Sequence, residues 1–75
     1  MILAKEKNAG GFGERLKQLR LAAELTQESL GQKVGMRSQN IARLESGGRE
    51  PSWETVKKLA KALGVTPDAF VTDDE

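Results

Sequence analysis

Seventy-five residues allow one small domain and no more. The chain has no cysteine, histidine or tyrosine, so disulfides, thiolate or imidazole metal ligands and the usual general base near neutral pH are all absent. An enzyme, a cofactor and a bound metal are therefore not expected.

The net charge of +1 looks small for binding a polyanion, but its distribution matters more than its sum. Residues 33–49 carry Lys33, Arg37, Arg43 and Arg49 against Glu45 alone, while Asp73, Asp74 and Glu75 place negative charge in an acidic tail, residues 72–75. Met1 to Ala4 is too short for a signal-peptide core, and no apolar run reaches membrane-spanning length. The expectation is a cytoplasmic protein with no membrane partner.

Residues 1–11, MILAKEKNAGG, read as a flexible arm, since Asn8-Ala9-Gly10-Gly11 gives little reason for regular structure. Helix one is predicted from about Phe12 to Ala23. Phe12, Leu16, Leu19 and Ala23 form its inward stripe, and Leu21 falls off that stripe. Glu14 suits the dipole in the first turn. Helix two is predicted over Gln27 to Val34, after the capping hydroxyl of Thr26, and helix three over Ser38 to Leu44. Residues 46–51, SGGREP, are a loop of helix breakers. Helix four follows the Ser52 cap and runs to Leu63, burying Val56, Leu59, Ala60 and Leu63. Gly64 closes it. Thr66-Pro67-Asp68 starts a last short helix to Val71. Nothing within residues 12–71 suggests a second domain.

The stretch TQESLGQKVGMRSQNIARLESG, residues 26–47, carries most of the functional information. It reads as two short helices joined by a tight turn. Leu30 and Val34 share a face, Gly31 leaves room for a crossing helix, and Gly35 ends the first helix in a left-handed conformation. Met36, Ile41 and Leu44 give the second helix its apolar contacts. Any two-helix hairpin in a small bundle would show those apolar positions. The combination points further: Gly31 and Gly35 four apart, and a second helix bearing Arg37, Ser38, Gln39, Asn40 and Arg43 outside its apolar positions. This pattern predicts a helix-turn-helix, with double-stranded DNA as its expected ligand.

From Phe12 to Val71 the chain resembles the Xre-type helix-turn-helix family, which includes the lambda and Cro phage repressors. The resemblance rests on GERLKQLR, LTQESLGQKVG, IARLESG and REPSWETVKKLAKALGV in that order. It implies an all-α, five-helix, lambda-repressor-like fold whose second and third helices form the DNA-binding motif. By position it implies that Gln27 anchors the motif to phosphate, that Ser38, Gln39 and Arg43 face base edges, and that Arg37, Asn40 and Ser46 lie near the phosphate backbone. Arg49 is a further expected phosphate contact. The chemistry agrees, since glutamine can pair twice with adenine and arginine twice with guanine. Arg20 and Glu45 match a buried ion pair that joins the first helix to the third.

Three positions depart from the family pattern. Glu24 stands where glycine usually ends helix one, which predicts a strained left-handed residue. Arg37 stands where a short polar cap usually precedes helix three, so that start is expected to be ragged or to be capped by Ser38. Gly31 replaces the commoner alanine. Trp53 is the sole tryptophan. It is expected as a partly buried core anchor, with an indole N–H aimed at a phosphate as the alternative.

These readings lead to a sequence-specific transcriptional regulator, a repressor binding a near-palindromic operator as a homodimer. The alternative is an antitoxin or adaptor with a toxin or other protein partner, docking through Ile2, Leu3, Leu21 or Val71. Three aromatics and no stacking platform argue against RNA. Pairing is expected through Val65, Phe70 and Val71 around the last helix, with the recognition helices about 34 Å apart.

Overall fold

Helix-end chemistry sets the order of the elements. The computed structural model describes residues 3–70, with side chains from residue 11 onward. Within them lie α1 (Leu3–Ala22), α2 (Gln27–Val34), α3 (Ser38–Ser46) and α4 (Trp53–Leu63), followed by a single 3-10 turn over Pro67–Phe70. The expected fifth helix is thus one 3-10 turn, since Pro67-Asp68-Ala69-Phe70 is too short to close an α-helix, and Val71 lies outside the described residues. Among the described residues the architecture is all-α.

The four helix ends share one closure. Leu25 N–H donates to Arg20 O at 3.1 Å, Met36 to Gly31 at 2.8 Å, Gly48 to Arg43 at 3.0 Å and Val65 to Ala60 at 2.9 Å. In each case the residue before the donor takes a left-handed conformation. Three are glycines, Gly35, Gly47 and Gly64, at φ 75°, 85° and 74°. The fourth is Glu24 at φ 61°, as expected from its departure from the family pattern. Its Cβ pays a steric penalty that glycine would not.

The helix starts are equally explicit. At α2, Ser29 N–H donates to Thr26 Oγ1 at 2.9 Å and Thr26 N–H to Ser29 Oγ at 2.8 Å, a reciprocal capping box. At α4, Thr55 N–H donates to Ser52 Oγ at 3.2 Å. At α3 the cap position is Arg37 and no side chain caps it, Ser38 being already the first helical residue.

Helix α1 begins earlier than the sequence suggested. Its backbone is helical from Leu3, where Ala4-Lys5-Glu6-Lys7 are good helix formers, and it breaks at Gly11 (φ 43°, ψ −138°). The expected helix start at Phe12 is the residue after that break. At the other end the helix stops at Ala22, which leaves Ala23 in the exposed turn instead of on the inner stripe.

The buried positions of α1 are Gly13, Leu16 and Arg20, at 3 and 4 spacing, with Phe12 and Leu19 flanking them. Leu16 joins Leu30, Ile41, Leu44, Val56, Leu59, Ala60 and Phe70 in one core cluster. Fully burying each leucine or isoleucine is worth about 1.5–3 kcal/mol, so this cluster is the main driving force for folding. Leu63 and Val65 pack at its border, and Leu21 is exposed.

Phe70 is 6% exposed and its ring lies 4.8 Å from that of Phe12. This corrects its assignment to a dimer interface. The 3-10 turn folds back on α1 and α4, so Phe70 closes the core of one protomer. Trp53 also departs from expectation: at 62% exposed it is not a core anchor, although it starts α4 three residues before the buried Val56.

Replacing Glu24 with glycine is expected to stabilise the fold by about 1 kcal/mol, by relieving the left-handed Cβ. Urea denaturation followed by circular dichroism measures it. A lower midpoint for Glu24→Gly would show that the turn after α1 carries no such strain.

Candidate DNA-binding surface

Two close approaches set the position of α3. A Cβ on Gly31 would run into the carbonyl oxygen of Met36, so α2 and the turn into α3 meet backbone to backbone. A Cβ on Gly13 would lie 2.5 Å from the carbonyl oxygens of Leu44 and Glu45, so the turn of α1 that follows the Gly11 break rests directly on the end of α3. Ile41 and Leu44 then bury the inner face of α3.

The Glu45 carboxylate locks this arrangement. Arg20 Nε donates to Glu45 Oε2 at 2.6 Å and Arg20 Nη2 to Oε1 at 3.1 Å, a bidentate pair whose side chains are 9% and 5% exposed. Arg20 Nη1 donates to the Leu25 carbonyl oxygen at 2.9 Å, fixing the turn between α1 and α2. Gln27 Nε2 donates to Glu45 Oε1 at 3.1 Å. One carboxylate therefore receives bonds from α1 and α2 while itself belonging to α3.

What remains of α3 faces outward. Gln39, Arg43 and Ser46 are exposed at 4 and 3 spacing and form one stripe, with Arg37 exposed just ahead of the helix and Arg49 just beyond it. Ser38, Asn40 and Ala42 are half-buried along its flanks. The Ser46 hydroxyl donates to the Arg43 carbonyl oxygen at 3.2 Å, which ties it to its own helix. Among the described residues Arg20–Glu45 is the sole ion pair, so Arg37, Arg43 and Arg49 stand outside any such pairing. Between α1, α2 and α3 a groove of about 380 Å³ is lined by Glu14, Lys17, Gln27, Ala42, Glu45 and Ser46.

The structure thus brings Ser38, Gln39, Asn40, Arg43 and Ser46 together on one helix, with Gln27 at the amino end of α2 beside them. It does not place Phe70 on a surface, and Val71 lies outside the described residues. Two features escaped the sequence reading. Gly13 shares the stripe of Leu16 and Arg20, a spacing that turns it inward without saying which backbone it meets. The bond from Gln27 to Glu45 joins residues 18 apart and had no local signature.

A family model described as a helix-turn-helix domain matches residues 12–70. The chain belongs to the Xre-type helix-turn-helix family. It is 37% identical to the restriction-modification controller protein C.AhdI of Aeromonas hydrophila, with a TM-score of 0.77 over 79% of this chain and 86% of that one. It is 33% identical to the P22 c2 repressor, seen in complex with a synthetic operator, with a TM-score of 0.77 over 85% of this chain and 97% of that one. The RstR repressor of the cryptic phage CTXphi of Vibrio cholerae is 34% identical over 85% of this chain. This chain spans 58% of RstR and 31% of BcrR, a transcriptional activator of Enterococcus faecalis to which it is 36% identical.

Removing one partner of the buried pair leaves a charge without compensation. Arg20→Ala is expected to lose about 3–5 kcal/mol of stability. A thermal melt reads this out, and a loss below about 1 kcal/mol, the range of an exposed pair, would contradict the buried geometry.

Proposed function

We propose that this chain is a sequence-specific DNA-binding domain that acts as a transcriptional repressor, docking α3 in the major groove of a near-palindromic operator as a homodimer. The observation that carries the reading is the two-sidedness of α3. Its inner face is locked by Ile41, Leu44 and the Arg20–Glu45 pair, and its outer face presents Gln39 and Arg43 one turn apart. Side chains on a rigid helix keep the register that reading base edges demands.

In this reading Gln39 and Arg43 contact bases, with Ser38 beside them. Gln27, Arg37, Asn40, Ser46 and Arg49 contact phosphates. Phosphate contacts supply affinity and base contacts supply discrimination. Occlusion of a promoter requires no catalysis, which agrees with a chain that has neither histidine nor cysteine. The likeness to a repressor seen with its operator supports the assignment. An adaptor or antitoxin role is less well supported. Of its proposed contacts only Leu21 lies among residues with described side chains, and a single exposed leucine is ordinary.

One recognition helix covers too few base pairs to select a single genomic site, which is the argument for a dimer. With Phe70 inside the protomer, Val65 and Val71 remain as the interface residues of this proposal.

Binding is expected to weaken steeply with salt. A dimer making roughly 6–10 phosphate contacts gives a log–log slope of about −5 to −9, measurable by fluorescence anisotropy on sites selected from random DNA. A flat response, or no bound sequence at all, would remove the DNA reading. Arg43→Ala or Gln39→Ala is expected to cost about 1–3 kcal/mol on the selected site and to relax preference at one base pair, whereas Gln27→Ala weakens all sequences alike. Equal losses on every sequence would reassign Arg43 to phosphate. Val71→Asp is expected to weaken dimerisation and DNA binding together while the protomer stays folded. Sedimentation showing a monomer both free and on DNA would rule out the dimer.

A further inference from the structure

The amide of Gln27 is oriented by a carboxylate. Its Nε2 donates to Glu45 Oε1 at 3.1 Å, and the same oxygen accepts Nη2 of Arg20 at 3.1 Å. A carboxylate can only accept, so the nitrogen of the Gln27 amide must face it, and a flipped amide would set two acceptors against each other. One Nε2–H is spent on Glu45 and the second is left for another acceptor. Gln27 is half-buried in the first turn of α2, and the capping box of Thr26 and Ser29 fixes its backbone. The charge of Glu45 is matched by the bidentate guanidinium of Arg20, so an anion can approach Gln27 without facing an uncompensated carboxylate.

We propose that Glu45 is a positioning residue for phosphate recognition: it holds the Gln27 amide so that the second Nε2–H meets a DNA phosphate at the amino end of α2. Arg20 carries this hold back to α1. The backbone approach at Gly13 keeps Glu45 itself from drifting. The role rests on the DNA reading above, with Gln27 at phosphate. It makes the ion pair a part of recognition as well as of folding. It also ties the phosphate anchor on α2 and the base-reading stripe on α3 to one side chain, so the two dock in a fixed relation.

The test is a double-mutant cycle on a short mixed-sequence duplex, with Gln27→Ala, Glu45→Gln and the double variant. Affinity and its salt slope are read alongside a thermal melt. Gln27→Ala is expected to weaken binding about tenfold, and Glu45→Gln to do nearly the same with a similarly reduced salt slope. The double variant is expected to lose little more than either single one, because an amide at position 45 has one acceptor oxygen, which the Arg20 guanidinium takes, and turns a donor toward Gln27. Additive losses, or a folded Glu45→Gln protein with wild-type affinity and slope, would overturn the role of Glu45 and leave the DNA reading standing. Failure of the unaltered protein to bind any duplex would remove both. Should Glu45→Gln not fold, the side-chain amide resonances of Gln27 in the unaltered protein decide. One Nε2 proton is expected to stay hydrogen-bonded to Glu45 in free and bound states while the other shifts on adding the duplex. Loss of the Glu45 bond on binding would overturn the proposal.

Discussion

Three helices meet on the carboxylate of Glu45. Its two oxygens take bonds from Arg20 on α1 and from Gln27 on α2, and its own backbone sits under Gly13. A buried pair of this kind adds little net stability, because desolvation of two charges offsets most of their attraction. What it supplies is orientation. Apolar contacts from Ile41 and Leu44 hold α3 against the core but tolerate a small rotation or slide, since leucine and isoleucine side chains repack at modest cost. A bidentate guanidinium–carboxylate pair does not tolerate one, because both hydrogen bonds weaken steeply when the fork is misaligned. The outward stripe of Gln39 and Arg43 inherits its direction from that constraint.

The helix ends show how a short chain enforces such geometry. With helices of eight, nine and eleven residues after α1, none is stable by propensity alone. Each is stopped by a left-handed residue that returns the backbone amide to a carbonyl one turn back, and two of the starts are capped by a hydroxyl. The exception at the start of α3 is instructive. Arg37 occupies the cap position without a capping bond, so its guanidinium is left in solvent beside the outward stripe of α3. A position that usually serves the helix here carries charge on the proposed DNA face.

Phe70 and Trp53 show where an apolar residue's role could not be inferred from its type. Both are large aromatics close to a helix boundary. Phe70 ends a 3-10 turn that bends the chain back, so its ring reaches Phe12 and the core closes. Trp53 is the first residue of α4, three before the buried Val56, yet its indole stays outside. In each case the deciding quantity is the direction of the chain at the boundary. The consequence for assembly is direct: an aromatic inside the protomer is unavailable to a second copy.

The amino-acid sequence by itself determined the family, the helices of the binding motif and the strained left-handed residue at Glu24. It also determined which side chains of α3 face away from the core. These are local matters: spacing at 3 and 4, hydroxyl caps, and glycines where the backbone turns back. Arg20 as a pair with Glu45 was legible only through resemblance to known proteins, since by composition both are ordinary surface charges. Tertiary structure alone decided the close approach at Gly13, the bond from Gln27 to Glu45, the burial of Phe70 and the exposure of Trp53. Each of these depends on where one helix crosses another. That is fixed by backbone contact and shape complementarity between segments distant in the chain, and no local pattern of residue types encodes it.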